Sequence, residues 1–449
     1  MRARLTEGAV GRRLFMLAFP MLGGTFAMCT FNLADTYFVA RLGTTPLAAM
    51  GFTFPVVMFV TSITHGLGMG ATAVVSQVIG ERNHAFARKV TTHTLLLSTL
   101  VVGTFSLAGL LSMNHLFRTL GATDEVLLLV KQYMVIWYAG TVFVIIPMLA
   151  NSIIRATGDT VFPSAIMIAA SGLNVVLDPI MIFGLFGCPA LGLRGAALAT
   201  VIARGFTLLM TMLVLHHRHR LLDFSVPSLG EMWVSWRRVL HIGVPSSATN
   251  ILGPLSAGII TRIVAGFGEE AVAACGAGGR LEMFAFMIPM ALGISLVPFI
   301  GQNWGAGRVD RVNLCRKYSN RFALYWGLCC AVTFMLLSGK MAALFTKDPE
   351  VLDILALYLC VIPLGYGMRE IHRYVGFSFN AIGRPLSSAA INAIRILGLL
   401  IPLTLLGACA FGLPGVFGGT VAADVLAACV AVLWARHVFD TRRDARAQG

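Results

Sequence analysis

The chain alternates long apolar runs with short punctuation by charge, glycine or proline. Twelve runs can be drawn, at 14–40, 47–79, 90–117, 127–154, 161–186, 195–216, 239–266, 271–304, 318–344, 351–377, 386–410 and 414–436. At about 1.5 Å of rise per residue, roughly 20 apolar residues cross a hydrocarbon layer of about 30 Å, so each run predicts a membrane-spanning helix. The second and eighth are long enough to require tilt or a protruding end. Pro163, shortly after Asp159 and Thr160, predicts a capped start to the fifth span.

The pattern repeats. At an offset of 225 residues Pro20 falls on Pro245, Gly43 on Gly268, and Ala48, Ala49 and Gly51 on Ala273, Ala274 and Gly276. The same offset carries Gly68 to Gly293, Gln77 to Gln302, Gly80 to Gly305 and Gly158 to Gly383. GLRGAALAT from Gly192 resembles GLPGVFGGT from Gly412 at an offset of 220, so the second half contains a shorter connection. One offset joining several local patterns signals duplication. Three parts are expected: an N-terminal lobe at 1–216, a cytoplasmic connector at 217–238, and a C-terminal lobe at 239–449 with a short tail. Six spans per half give both copies the same orientation, which predicts parallel repeats about an axis normal to the membrane with a central site between them.

Composition changes the picture little. Hydrophobic residues make up 57% and charged residues 12%, half the charge of a typical soluble domain, which indicates a polytopic membrane protein. The net charge of +14 does not imply nucleic-acid binding, because the basic residues sit mainly in short loops facing lipid headgroups. They concentrate at the termini, including Arg2, Arg4, Arg12 and Arg13, and in loops after even-numbered spans. The opposite side is represented by Arg41, Arg118, Lys131, Arg194, Lys340 and Lys347, so both termini are expected in the cytoplasm and the protein in the inner (plasma) membrane. The first apolar run is too long for the core of a signal peptide. Nine scattered cysteines show no ligand spacing, and the HHRHR run at His216–Arg220 reads as a basic juxtamembrane loop rather than a metal site. GLGMG at Gly66–Gly70 lies inside a span without a preceding strand, so close helix packing explains it better than a nucleotide loop. No Walker A motif and no nucleophile–base constellation is visible, so neither an ATPase nor another enzyme is expected, and no cofactor beyond a coupling ion.

The acids carry the chemistry. In the first span Asn32, Asp35 and Thr36 share one helix face, and an ionised Asp at mid-membrane costs about 2.5–3.5 kcal/mol on insertion scales. In the fifth, Asn174 and Asp178 lie at i, i+4 and precede Pro179. The second half has Ile260 opposite Asp35, and Leu403 or Gly398 opposite Asp178, so the scaffold does not require either acid. Two facing buried carboxylates cannot both ionise cheaply, which makes a proton site, or with Asn174 and a hydroxyl a site for a hard cation. The plainer reading is an Asp35 that reaches interfacial water, or acids paired with a base such as Arg204. Arg262, Arg280, Arg369, Arg373, Arg395, His372, Glu370 and Asp424 in the second half read as internal ion pairs, with Glu282 either coupling or facing substrate.

The chain resembles the MATE (multidrug and toxic compound extrusion) family over nearly its whole length. The likeness is carried by FNLADTYFVARLGTTPLAAMG from Phe31, VVSQVIGERN from Val74, NSIIRATGDTVFP from Asn151, NVVLDP from Asn174, LGLRGAALAT from Leu191 and FIGQNWGAGRVDR from Phe299. It looks closest to the DinF branch. That resemblance implies an all-α fold of twelve transmembrane helices in two pseudo-twofold six-helix lobes, opening alternately to each side. It implies export of organic, often cationic and amphipathic compounds in exchange for protons or sodium ions by a monomer embedded in lipid. Asp35, Asn174 and Asp178 match the branch's ion-coupling site, Asn151 and Thr200 its polar surround, and Pro20 the proline at which the first span bends. NorM-type members carry a Glu where this chain has Gly253, although Tyr366 and Glu370 remain as candidates for coupling or substrate contact in the second lobe. A flippase for lipid-linked saccharides is the alternative within the superfamily; twelve spans and acids in the first lobe count against it.

Overall fold

A computed structural model describes residues 4–447, with side chains described from Leu5 to Phe439. Arg2 and the side chains of the tail beyond Phe439 lie outside the described residues. Thirteen α-helices follow in order: α1 Val10–Ala40, α2 Thr44–Gly80, α3 His84–Thr119, α4 Asp124–Ala156, α5 Val161–Phe183, α6 Leu193–Leu213, α7 Leu229–Ala265, α8 Glu269–Gly305, α9 Val309–Ala343, α10 Pro349–Val361, α11 Tyr366–Ala381, α12 Pro385–Ala393 and α13 Ile401–Ala447. No strand occurs among the described residues.

The helices match the twelve apolar runs once three local irregularities are read. A 3-10 turn at Ile362–Gly365, around Pro363, joins α10 and α11 into one span. A π-helical stretch at Ile394–Leu400 joins α12 to α13. Gly412, at φ 63°, interrupts α13 and divides one 55-residue apolar stretch into the eleventh and twelfth spans. Helices also outlast their apolar runs. α7 starts at Leu229 and α9 at Val309, about ten residues earlier than the hydropathy boundary, because backbone bonding continues where the side chains turn polar. At the start of α5 the cap comes from Asp159, whose Oδ1 accepts from Phe162 N at 3.3 Å; Thr160 makes no such bond.

The chain separates into two compact units, one of residues 19–247 and one of 5–18 with 248–449. The divisions fall inside α1, next to Pro20, and inside α7, next to Pro245.

In the first unit small residues set the helix spacing. The backbone of α2 at Gly66 and Gly70 lies directly on α7 at Val239, Gly243 and Ser247. Ser247 Oγ donates to the Ile63 carbonyl at 3.2 Å across this contact. GLGMG is therefore a packing stripe. The core beside it gathers Val130, Met134, Trp137, Ile145 and Ala196. On the side bearing the connector, α3 holds the start of α7: Trp236 Nε1 donates to the His93 carbonyl at 2.8 Å, and His93 Nδ1 lies 2.9 Å from Ser235 Oγ.

In the second unit, proline's missing N–H has a visible remedy. Pro289 leaves the Ala285 carbonyl without its helical donor, and Trp326 Nε1 supplies one at 2.8 Å. All nine cysteines are free.

Candidate functional site

The first unit places Asp35 on α1, Tyr133 and Asn151 on α4, Asn174 and Asp178 on α5, and Thr200 on α6. All are buried, Asn174 and Asp178 completely. One helical turn brings Asn174 Nδ2 to Asp178 Oδ1, to which it donates at 3.3 Å. α1 packs along α5, from Gly24 against Ser164 to Phe38 against Phe183 with ring centroids 6.4 Å apart, which sets the stretch bearing Asp35 alongside the one bearing Asp178. The two spans thus converge where the sequence predicted only a pair of faces. Neither acid forms an ion pair with a base among the described residues. Arg204 instead lies over the Phe31 ring, with Cζ 5.3 Å from its centroid.

Several buried oxygens here have no hydrogen-bond donor within the described residues: Asp35 Oδ1, Asn151 Oδ1, Asn174 Oδ1 and Asp178 Oδ2. Unmet buried acceptors are uncommon and each costs about 1–3 kcal/mol, so a cluster of them marks a place where a proton or a hard cation would be stabilised. Asn151 lines a cavity of about 30 Å³ with Phe31, Met148, Met167, Arg204 and Thr207. A cavity of that size holds water but not an organic molecule. The thioether side chains in its wall can rearrange at low cost. Thr200 is buried on α6 and makes no side-chain hydrogen bond among the described residues. Tyr133 escaped the sequence reading because a tyrosine in an apolar span carries no signal until its neighbours are known. Pro20 leaves α1 helical throughout, so in this state the proline removes a donor without breaking the helix.

The second unit pairs its charges. Arg395 Nη2 and Nε donate to Asp424 Oδ1 at 2.6 and 2.9 Å, the π-helical stretch carrying the arginine. Arg373 Nη2 donates to Glu370 Oε2 at 2.6 Å. Glu282 accepts from Arg369 Nη1 at 3.2 Å and from the Tyr358 hydroxyl at 2.9 Å. Tyr366 packs its ring on Phe286, centroids 4.7 Å apart. Arg369, Arg373, Arg395, Glu370 and Asp424 form internal ion pairs as expected from the sequence, and Glu282 joins them. Arg262 and Arg280 are exposed and form none among the described residues, and His372 Nε2 lies 3.2 Å from the Ile391 carbonyl rather than at an acid.

Outside the spans, Asp159 ties the α4–α5 turn to the end of α6. Its Oδ2 lies 3.3 Å from Arg218 Nε and 3.4 Å from His219 Nε2. Burial would raise this carboxyl, but the His219 ring beside it and hydrogen bonds from Phe162 N and Arg218 outweigh burial and hold the group below the ordinary carboxylate range.

A duplicated twelve-span helical bundle, with buried carboxylates that lack an ion-pair partner among the described residues in its first unit, is the construction of a membrane transporter. The MatE family model matches residues 20–180 and again 245–406, so the two matches begin at Pro20 and Pro245. The chain belongs to the MATE family. It is 36% identical to the FAD transporter of Shewanella oneidensis over 92% of each chain. It is 24% identical to the multidrug export protein MepA of Staphylococcus haemolyticus over 95% of this chain and 93% of that one. Among solved structures, the Vibrio cholerae MATE transporter VcmN in the bent form matches with a TM-score of 0.91 and 30% identity, covering 96% of this chain and 97% of that one.

Proposed function

We propose that this protein is a secondary antiporter of the inner membrane, with both termini in the cytoplasm, exporting small organic molecules as protons or sodium ions enter. The single observation that carries the reading is the burial of Asp35, Asn174 and Asp178 on packed α1 and α5, two of them acids without a basic partner among the described residues. A proton entering this group removes the repulsion between two buried carboxylates. A hard cation would be met by the same oxygens. Either ligand favours the conformer that binds it better, and substrate favours the other, so each displaces the other through the change in conformation. In the proton case, neutralised acids release α1 to bend near Pro20, and the cavity of the first unit contracts and releases substrate outward.

The test is efflux from proteoliposomes under a pH gradient or a sodium gradient imposed separately. Asp35→Asn and Asp178→Asn should each abolish uphill transport by whichever gradient drives the wild type. Undiminished gradient-driven export in both variants would refute the coupling role.

For substrate, two readings stand. A relative named for multidrug export favours drug-like compounds, and the unpaired acids of the first unit favour cationic ones among them. The 36% identical FAD transporter favours a flavin dinucleotide, which is an anion at neutral pH.

A further inference from the structure

The sign of the accessible charge in the second unit discriminates between these substrates. Arg369 and Arg373 lie one helical turn apart on α11, so their side chains share a face. Arg369 stands twelve residues before the end of its span at Ala381, ~18 Å along the helix and within the hydrocarbon depth. Both head groups stack on one ring: Arg369 Cζ lies 4.8 Å and Arg373 Cζ 5.8 Å from the Phe286 centroid.

Each arginine has an acid, but the acid is the deeper member. Side-chain exposure is 39% for Arg369 against 15% for Glu282, and 33% for Arg373 against 1% for Glu370. The carboxylates are therefore covered while the arginine side chains are partly exposed. Ionisable groups in a span face protein or water rather than lipid, so these partly exposed arginines mark a wet face of the unit. Their donors are underused. Arg369 gives one hydrogen bond to Glu282 and Arg373 gives one to Glu370, while Arg373 Nε is itself buried without an acceptor, which leaves the terminal N–H groups as the spare donors. A guanidinium offers five N–H groups in a planar fork suited to phosphate and carboxylate oxygens.

We infer that Arg369 and Arg373, held on Phe286, form an anion-binding subsite for a phosphate-bearing organic substrate, a dinucleotide such as FAD rather than an organic cation. The inference rests on the export reading above and refines it. Glu282 and Glu370 orient the two arginines from beneath, leaving the outer edges of the guanidinium groups to grip the phosphate oxygens.

The test uses the full-length protein in detergent, with binding followed separately for FAD, riboflavin (the same ring system without phosphate), ethidium and phosphatidylglycerol. Wild type should bind FAD at least about tenfold more tightly than riboflavin. Arg373→Gln, and Arg369→Gln made together with Glu282→Gln so that no buried charge is orphaned, should each weaken FAD about tenfold, the worth of one charge-assisted hydrogen bond. Riboflavin and ethidium should stay within about twofold, and Arg373→Lys should retain part of the FAD affinity. Equal affinity for FAD and riboflavin would overturn the inference, as would equal loss of all probes. So would arginine-dependent binding of phosphatidylglycerol without any binding of FAD, which would assign the arginines to lipid phosphate. Gradient-driven efflux is scored separately. Ethidium efflux without FAD binding sinks the subsite and spares antiport, whereas arginine-dependent FAD binding without efflux sinks antiport and supports the subsite.

Discussion

Gly66 offers a quantitative test of how the first unit is held together. A Cβ added there would meet Ser247 Oγ, the Ser247 backbone N at 2.5 Å and the Gly243 carbonyl oxygen at 2.6 Å. Real Cβ atoms do not approach backbone so closely, and backbone cannot rotate aside, so α7 would have to move away from α2. Overpacking of this kind costs about 1–3 kcal/mol. Gly103, in the interior of α3 with open space at its Cβ position, provides the control. There the same substitution should stabilise by up to about 1 kcal/mol through helix propensity alone. Gly66→Ala and Gly103→Ala should thus differ by about 1–4 kcal/mol with opposite signs. At roughly 2–4 °C per kcal/mol for a unit of this size, the melting temperatures in detergent should separate by at least about 2 °C, with Gly66→Ala lower. Scanning fluorimetry reads the difference directly. Equal melting temperatures, or a Gly66→Ala variant more stable than Gly103→Ala, would show that the α2–α7 contact does not require a bare backbone.

Pro20→Ala restores a helical donor to α1, so it should preserve or raise thermal stability while lowering gradient-driven efflux; unchanged efflux would remove the proposed bend from the mechanism. Arg395→Gln leaves Asp424 buried without its partner and should destabilise by about 3–5 kcal/mol, whereas Arg395→Gln with Asp424→Asn should recover most of that in a denaturation series. Asp159 has a folded-state pKa below its unfolded value, so its contribution to stability is fully present above about pH 4 and is lost as pH falls through the lowered folded value. Asp159→Asn should therefore melt below wild type at pH 7, and the gap should shrink on acidification; a gap constant down to pH 3 would contradict the ion pair with Arg218.

Hydropathy alone determined the spans, because about 20 apolar residues have no other stable solution than a helix in lipid. The repeat was equally legible: Pro20 and Pro245, met again where the two family matches begin, needed only a constant offset. Asp35 and Asp178 could be nominated from sequence because an acid inside an apolar run is expensive, and because Ile260 shows what the scaffold accepts in the corresponding place. Their coming side by side depends on how α1 and α5 pack, which no local pattern encodes. The boundary residues of α7 and α9 were misplaced for a related reason: hydropathy ends with the lipid, whereas the backbone ladder ends only where a cap or turn stops it. In the second unit the sequence listed the charges, but only the tertiary structure decided which acids are covered and which arginines reach the surface. Burial depends on neighbouring helices, and the exposed sign at Arg369 and Arg373 follows from Glu282 and Glu370 lying beneath them.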